Sequence, residues 1–328
     1  MNKVFFCLST ILSLYTFSLS AQSKEAVVLL EGFDPVLLVD GKNKRGLDDK
    51  FVVRGGFKYL FSSEKNKKTF EENPGLYEVQ NNGECTFMPG IQGNPGIWKV
   101  YQKKIYLFGT VLCRERFNLA PEAILHPEKC KKVKKRNVAI VLYEGVELLD
   151  FAGPGEVFAA TQTVDGQFAF NVFTVAASTQ PIVSQGFLSV QPEYSFANAP
   201  QPDIIVVPGG DIQNLMKDEK GMTWVKMISI KAEIAMSVCN GAFAFAKSKL
   251  LENKSITTHW TAIKDLRKQV PSAKVFEEVR YMDNGQVVTT AGVSAGIDGA
   301  LHIVERLLGL STAKFTARYM EYDWEPGL

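Results

Sequence analysis

The chain has 328 residues, with 37 Lys and Arg against 35 Asp and Glu and a 46% hydrophobic share. That length suits two domains, and a net charge of +2 with an ordinary apolar content describes a soluble globular protein with no bias toward nucleic acid. After the first residues, no segment is long and apolar enough to span a membrane.

The opening MNKVFFCLSTILSLYTFSLSAQ combines one lysine, an apolar centre and a small-residue ending at Ser-Leu-Ser-Ala. This is the layout of a cleavable secretory signal over residues 1–21, cut near Ala21, and it predicts a periplasmic or secreted protein. Cys7 leaves with the leader. Of Cys85, Cys113, Cys130 and Cys239, an oxidising compartment favours a disulfide among the first three; Cys85 with Cys113 is the preferred pair, although spacing does not dictate connectivity.

An internal repeat follows. YLFSSEKNKKTFEENP from Tyr59 matches YLFGTVLCRERFNLAP from Tyr106, with Phe70 and Phe117, then Pro74 and Pro121, in step. Each copy follows a turn and a short strand, which predicts a β-hairpin feeding a short helix that stops at a proline. Together the two copies predict a small α+β domain over 22–126. The run HPEKCKKVKKR then breaks the hydrophobic periodicity and reads as a basic linker over 127–136, a solvated connector.

Beyond it strand and helix alternate. NVAIVLY (137–143), FNVFTVAA (170–177), DIIVVPGG (203–210), IAMSV (234–238) and VVTTAG (287–292) are Ile- and Val-rich runs without polar alternation, the mark of a parallel sheet covered on both faces. Helices are expected over 146–161, 219–231, 240–249 and 294–308. The second domain, 137–328, is therefore α/β and three-layered, with chemistry expected at the carboxyl ends of its strands.

Cys239 sits where a buried strand gives way to a helix, beside Gly241, as in a nucleophile elbow. A helix start offers unpaired N–H groups and a positive dipole, which lower a thiol pKa; inert packing is the competing reading of a buried cysteine. Gly209 and Gly210 of PGG end a strand where backbone N–H groups could hold a developing anion. Asp150 and His259 fall on the same sheet edge. His126 and His302 read as structural.

Two resemblances organise these residues. Phe33-Asp34-Pro35-Val36 followed by Tyr59 to Pro74 resembles the YHS domain. Metal-handling members of that family carry cysteines where this chain has Leu37, Ser62 and Asn66, so no metal is expected, and the resemblance implies a structural, substrate-gating or partner-binding module. Trp98 is one candidate contact for such a protein partner. LLDFAGPGEVF, VVPGG, SVCNGAFAFAKSKLLENKSITTHW and VTTAGVSAGIDGALHIVERLLG resemble the ThiJ/PfpI superfamily, in its isonitrile hydratase and AraC-regulator-like branch. This implies a flavodoxin-like α/β/α sandwich of the class I glutamine amidotransferase-like kind. It also implies that Cys239 is the reactive thiol, Asp150 the acid contacting it, and Gly210 part of an oxyanion pocket.

Asn240 stands where the peptidase branch has His and isonitrile hydratases have Thr; its amide could bond substrate as a Thr hydroxyl does. The sequence closes at Leu328 soon after the last helix, so the DNA-binding domain of the regulators, and a nucleic-acid partner, are not expected. The resulting expectation is a cofactor-free, homodimeric hydratase or hydrolase for a small electrophile. The alternative is a redox-sensing or ligand-binding protein whose cysteine oxidises.

Overall fold

The computed structural model describes residues 26–129 and 133–327. The expected leader, Cys7, Cys130 and part of the basic linker lie outside the described residues. Two compact units divide at Thr110/Val111.

In the first unit the repeat is structural. Leu47–Arg54 and Phe57–Phe61 form one antiparallel hairpin, Asn94–Tyr101 and Lys104–Phe108 the other. Even the irregularity recurs: Leu47 pairs Phe61 and Phe51 pairs Leu60, as Asn94 pairs Phe108 and Trp98 pairs Leu107. Alternation puts Phe57, Tyr59, Phe61, Ile105 and Leu107 into one core with Phe70, while Trp98 is half-buried against it, edge-on to Phe33. Ser63 caps the helix Glu64–Glu72 by accepting from Asn66 N, and the helix ends ahead of Pro74.

Asp34, wholly buried, ties this unit together. Its Oδ1 accepts from Val36 N at 3.0 Å, and its Oδ2 accepts from Ser62 N at 2.7 Å, Ser62 Oγ at 2.8 Å and Asn66 Nδ2 at 2.7 Å. Ser62 and Asn66 thus serve as donors to one carboxyl group. Cys85 is a free thiol sealed beside Leu107, so the preferred Cys85–Cys113 bridge is not formed.

The second unit contains a sheet of strands β1 (Arg136–Val141), β2 (Phe170–Ala176), β3 (Tyr194–Ser195), β4 (Ile204–Val207), β5 (Ile234–Ser237), β6 (Tyr281–Asn284) and β7 (Val287–Thr290), in the order β3-β2-β1-β4-β5-β7-β6. All pairings are parallel except β6 with β7. β4, β5 and β7 are buried along their whole length, as the apolar runs predict. Helices Leu148–Ala160, Ala295–Leu308 and Leu310–Tyr319 pack together as one layer; Ile212–Lys217, Glu219–Lys231, Ala242–Lys247 and Ile263–Gln269 make up the other.

The helix Val111–Leu119 belongs to this second unit. Its Arg116 is buried there, donating to Thr163 O at 3.3 Å and to Gln162 Oε1, with its guanidinium 4.2 Å from the Phe315 ring centre. His302, expected to be structural, ties Ala295–Leu308 to the antiparallel edge: its Nε2 lies 2.7 Å from Asp283 Oδ2, and its ring stacks on Tyr281. His126 is half-buried, within 3.4 Å of Glu128.

Candidate active site

The carboxyl ends of β1, β4, β5 and β7 converge on Cys239. Val238 is still extended, and Cys239 then turns to a φ of 56° before a short 3₁₀ turn and the helix Ala242–Lys247. A side chain at positive φ costs about 1–3 kcal/mol, so the surrounding bonds must hold it. They do: Cys239 N donates to Ala291 O at 3.1 Å, Gly241 N to Val238 O at 2.9 Å, and Thr258 Oγ1 to Cys239 O at 2.8 Å. The sharp turn therefore falls on the cysteine itself. Gly241 keeps an ordinary helical φ of −54°, and glycine is required there for closeness, because a Cβ would lie 2.2 Å from Val207 O.

Asp150 reaches the same point from the first turn of Leu148–Ala160. It is 0% exposed and Cys239 is 8% exposed. Gly209 brings them together: its N–H donates to Asp150 Oδ2 at 2.8 Å, and a Cβ on it would sit 2.8 Å from that oxygen and 2.9 Å from Cys239 Cβ. Asp150 Oδ1, buried and without a well-formed hydrogen bond, is the oxygen left to interact with the thiol. Burial pushes the Asp150 pKa up to about 7, with the Gly209 N–H opposing it.

The thiol moves the opposite way from the expectation of a depressed pKa. Burial first, then the neighbouring Asp150 charge, push Cys239 up to about 12 against the N–H of Asn240. A 3₁₀ turn and a six-residue helix supply little dipole, and desolvation outweighs it. The pair thus resists carrying two negative charges at neutral pH, and a proton stays beside the sulfur.

The glycine N–H groups are placed differently from their expected role. Gly209 N is taken by Asp150, and Gly210 N donates to Asn240 Oδ1 at 3.0 Å. Asn240 Nδ2 returns a bond to Gly210 O at 2.9 Å, so the amide expected to meet substrate is turned onto the main chain. Only glycine suits position 210, where φ is 117° and a Cβ would stand 2.4 Å from Gly145 O.

His259 lies apart from the thiol. Its Nδ1 is 2.8 Å from Thr261 Oγ1, its ring lies against Gly292 and beside Trp260, and no hydrogen bond joins it to Cys239 among the described residues. It lines a 620 Å³ cavity with Thr258, Trp260, Glu277, Arg280 and Ala291. This cavity shares Thr258 and Ala291 with the bonds that hold the elbow. Trp260, 79% exposed, stands at its rim, and Arg280 is held there by Asp298. Sequence reasoning passed over Tyr143, whose hydroxyl donates to Pro208 O at 2.9 Å. Burial raises its pKa well above the ordinary value, and the charges of Asp150 and Cys239 add to this. Its place after the first strand was the available signal.

Comparison with known proteins agrees on this unit. Residues 136–306 match the model of the DJ-1/PfpI family. An isonitrile hydratase of Pseudomonas putida is 32% identical over 190 residues, covering 58% of this chain and 79% of that protein. Protein DJ-1alpha of Drosophila melanogaster is 25% identical over 207 residues, covering 61% and 88%. A ThiJ/PfpI family protein from Pseudomonas syringae superposes with a TM-score of 0.53 at 24% identity, covering 62% of this chain and 86% of that one.

Proposed function

The chain belongs to the DJ-1/PfpI family, and from that premise we propose that its second unit is a cysteine-dependent hydratase or hydrolase for a small electrophile, of the isonitrile hydratase kind. The observation that carries this is the buried Asp150 carboxyl, with a pKa raised to about 7, beside the Cys239 thiol on its strained elbow. A carboxyl poised near neutrality can give and take a proton, which is what acid–base work at this pH needs.

For an isonitrile the balance is simple. Sulfur bonds to the terminal carbon while that carbon gains a proton through Asp150, whose own proton is replaced from the thiol; the product is a thioimidate. Water then adds across the carbon–nitrogen double bond, its hydroxyl going to carbon and one proton to nitrogen; the carbon–sulfur bond breaks, the hydroxyl proton returns to the thiol, and an N-substituted formamide leaves. Because the Gly209 and Gly210 N–H groups are engaged, proton transfer from Asp150 takes the place of an oxyanion pocket in neutralising charge.

Purified protein incubated with alkyl and aryl isonitriles, with formamide followed by NMR, tests this. Cys239→Ser and Asp150→Asn should each lower turnover by about 10³-fold or more while the protein stays folded, as circular dichroism would show. Undiminished turnover in either sinks the mechanism. The redox-sensing reading fits less well, since a neutral, recessed thiol is slow toward peroxide; rapid sulfinate formation at Cys239, read by intact mass, would reverse that order.

The same proposal includes a leader removed near Ala21, a periplasmic or secreted location, a YHS-like partner-binding role for the first unit, and a homodimer. Among the described residues no helix is long and apolar enough to cross a membrane. The N-terminal sequence and the sedimentation mass of the exported protein test the leader and the dimer.

A further inference from the structure

The two members of the reacting pair arrive on separate pieces of chain. Asp150 opens a helix whose lead-in is stitched by main-chain bonds to the glycine loop: Glu147 N donates to Gly209 O at 2.9 Å, and Asp211 N to Gly145 O at 2.9 Å. Cys239 stands on the elbow that follows β5. Between that stitched block and the elbow's own residues runs a side-chain clip, in which Asn240 Oδ1 accepts from Gly210 N at 3.0 Å and Asn240 Nδ2 donates to Gly210 O at 2.9 Å. Asn240 therefore grips one residue's donor and acceptor at once through two separate atoms, where a hydroxyl would have to meet both from a single oxygen. Gly210 O accepts a second bond from Ile212 N, so its lone pairs are filled.

On the reading of Asp150 and Cys239 as the reacting pair, we propose that Asn240 is a positioning residue: by clipping Gly210 to the elbow it aims the Gly209 N–H at Asp150 and fixes the spacing between carboxyl and thiol. The side chain immediately after the nucleophile then acts on the acid through the main chain and leaves the substrate's space free. The packing is tight enough for this, since a Cβ at Gly209 would stand 2.4 Å from Asn240 Oδ1 and 2.8 Å from Asp150 Oδ2. Losing the clip lets the Gly209 N–H swing away from Asp150, which removes a bond that favours the carboxylate. The other titratable groups facing the pair are Glu147 and Tyr143, and Asp211 in turn acts on Tyr143.

The test is the titration of the Asp150 carboxyl by ¹³C NMR in aspartate-labelled full-length protein, its resonance identified by its disappearance in Asp150→Asn. Asn240→Ala should raise the midpoint by about one pH unit. Asn240→Thr, which can replace one of the two bonds, should fall between that variant and the parent. A midpoint unmoved in folded Asn240→Ala, checked by thermal melting, overturns the positioning role; if that variant does not fold, an unmoved midpoint in Asn240→Thr does so. An Asp150 that titrates at the ordinary carboxyl value in the parent protein, yet still moves in these variants, counts against the proposed acid and leaves the clip standing.

Discussion

Asp34 in the first unit and Asp150 in the second are both completely buried, and they are used in opposite ways. Asp34 receives four hydrogen bonds, from Val36, Ser62 twice and Asn66, which satisfy it and join three segments of chain. Asp150 receives one from Gly209, keeps an oxygen without a well-formed bond, and has a thiol beside it. Burial alone therefore does not set how tightly a carboxyl holds its proton. The number of donors around it separates a fastening from an acid.

The largest effect on stability should come from removing the fastening. Asp34→Ala leaves Ser62 and Asn66 with part-buried donors unsatisfied and opens a space at a buried site, and should destabilise the first unit by roughly 2–4 kcal/mol, measured by urea unfolding. A loss below about 1 kcal/mol would erase the contrast.

Next comes the pH dependence of the second unit. Because the Asp150 pKa in the folded state is raised to about 7 from an ordinary 3.8, the folded form holds a proton the unfolded form has released between those values. Stability from this group is full below about 4 and falls as pH rises toward 7, by about 2–4 kcal/mol. Asp150→Asn should flatten that slope, and a parent curve that climbs over this window through Asp150 would contradict the assignment.

The smallest change sharpens the comparison from a third carboxylate. Burial works against Asp283, yet bonds from His302 and the Gly285 N–H, with the Arg306 charge, outweigh it and hold its pKa below the ordinary value. Its contribution is present above the ordinary carboxyl range and is lost as pH falls through its lowered value in acid, the reverse of Asp150. Asp283→Asn should cost ~1 kcal/mol near neutrality and less in acid, a sign that paired denaturation curves at two pH values would show.

Much of the architecture is legible in the chain. The unbroken runs at 204–207 and 234–237 carry their own evidence of burial on both faces, and the Tyr59 and Tyr106 copies fold alike down to one register shift. Cys239 could be placed on an elbow because a buried strand followed by Asn-Gly is a local pattern. The antiparallel edge Tyr281–Asn284 was not visible, since YMDN has no apolar run and is half-buried. The small hairpin Ile182–Ser184 with Leu188–Val190 escaped for a similar reason, being short and half exposed.

What the linear pattern determined, then, is where strands end and which residues stand at those ends, because periodicity and turn chemistry are local. Tertiary structure alone decided what each of those residues does. The Asp150 pKa is raised to about 7 because residues 59 and 89 positions further along the chain enclose it, the thiol is neutral because its surroundings exclude water, and Asn240 faces Gly210 because both lie at one crowded crossing. Proton affinity and donor occupancy depend on neighbours in space, and those are set only when the sheet closes.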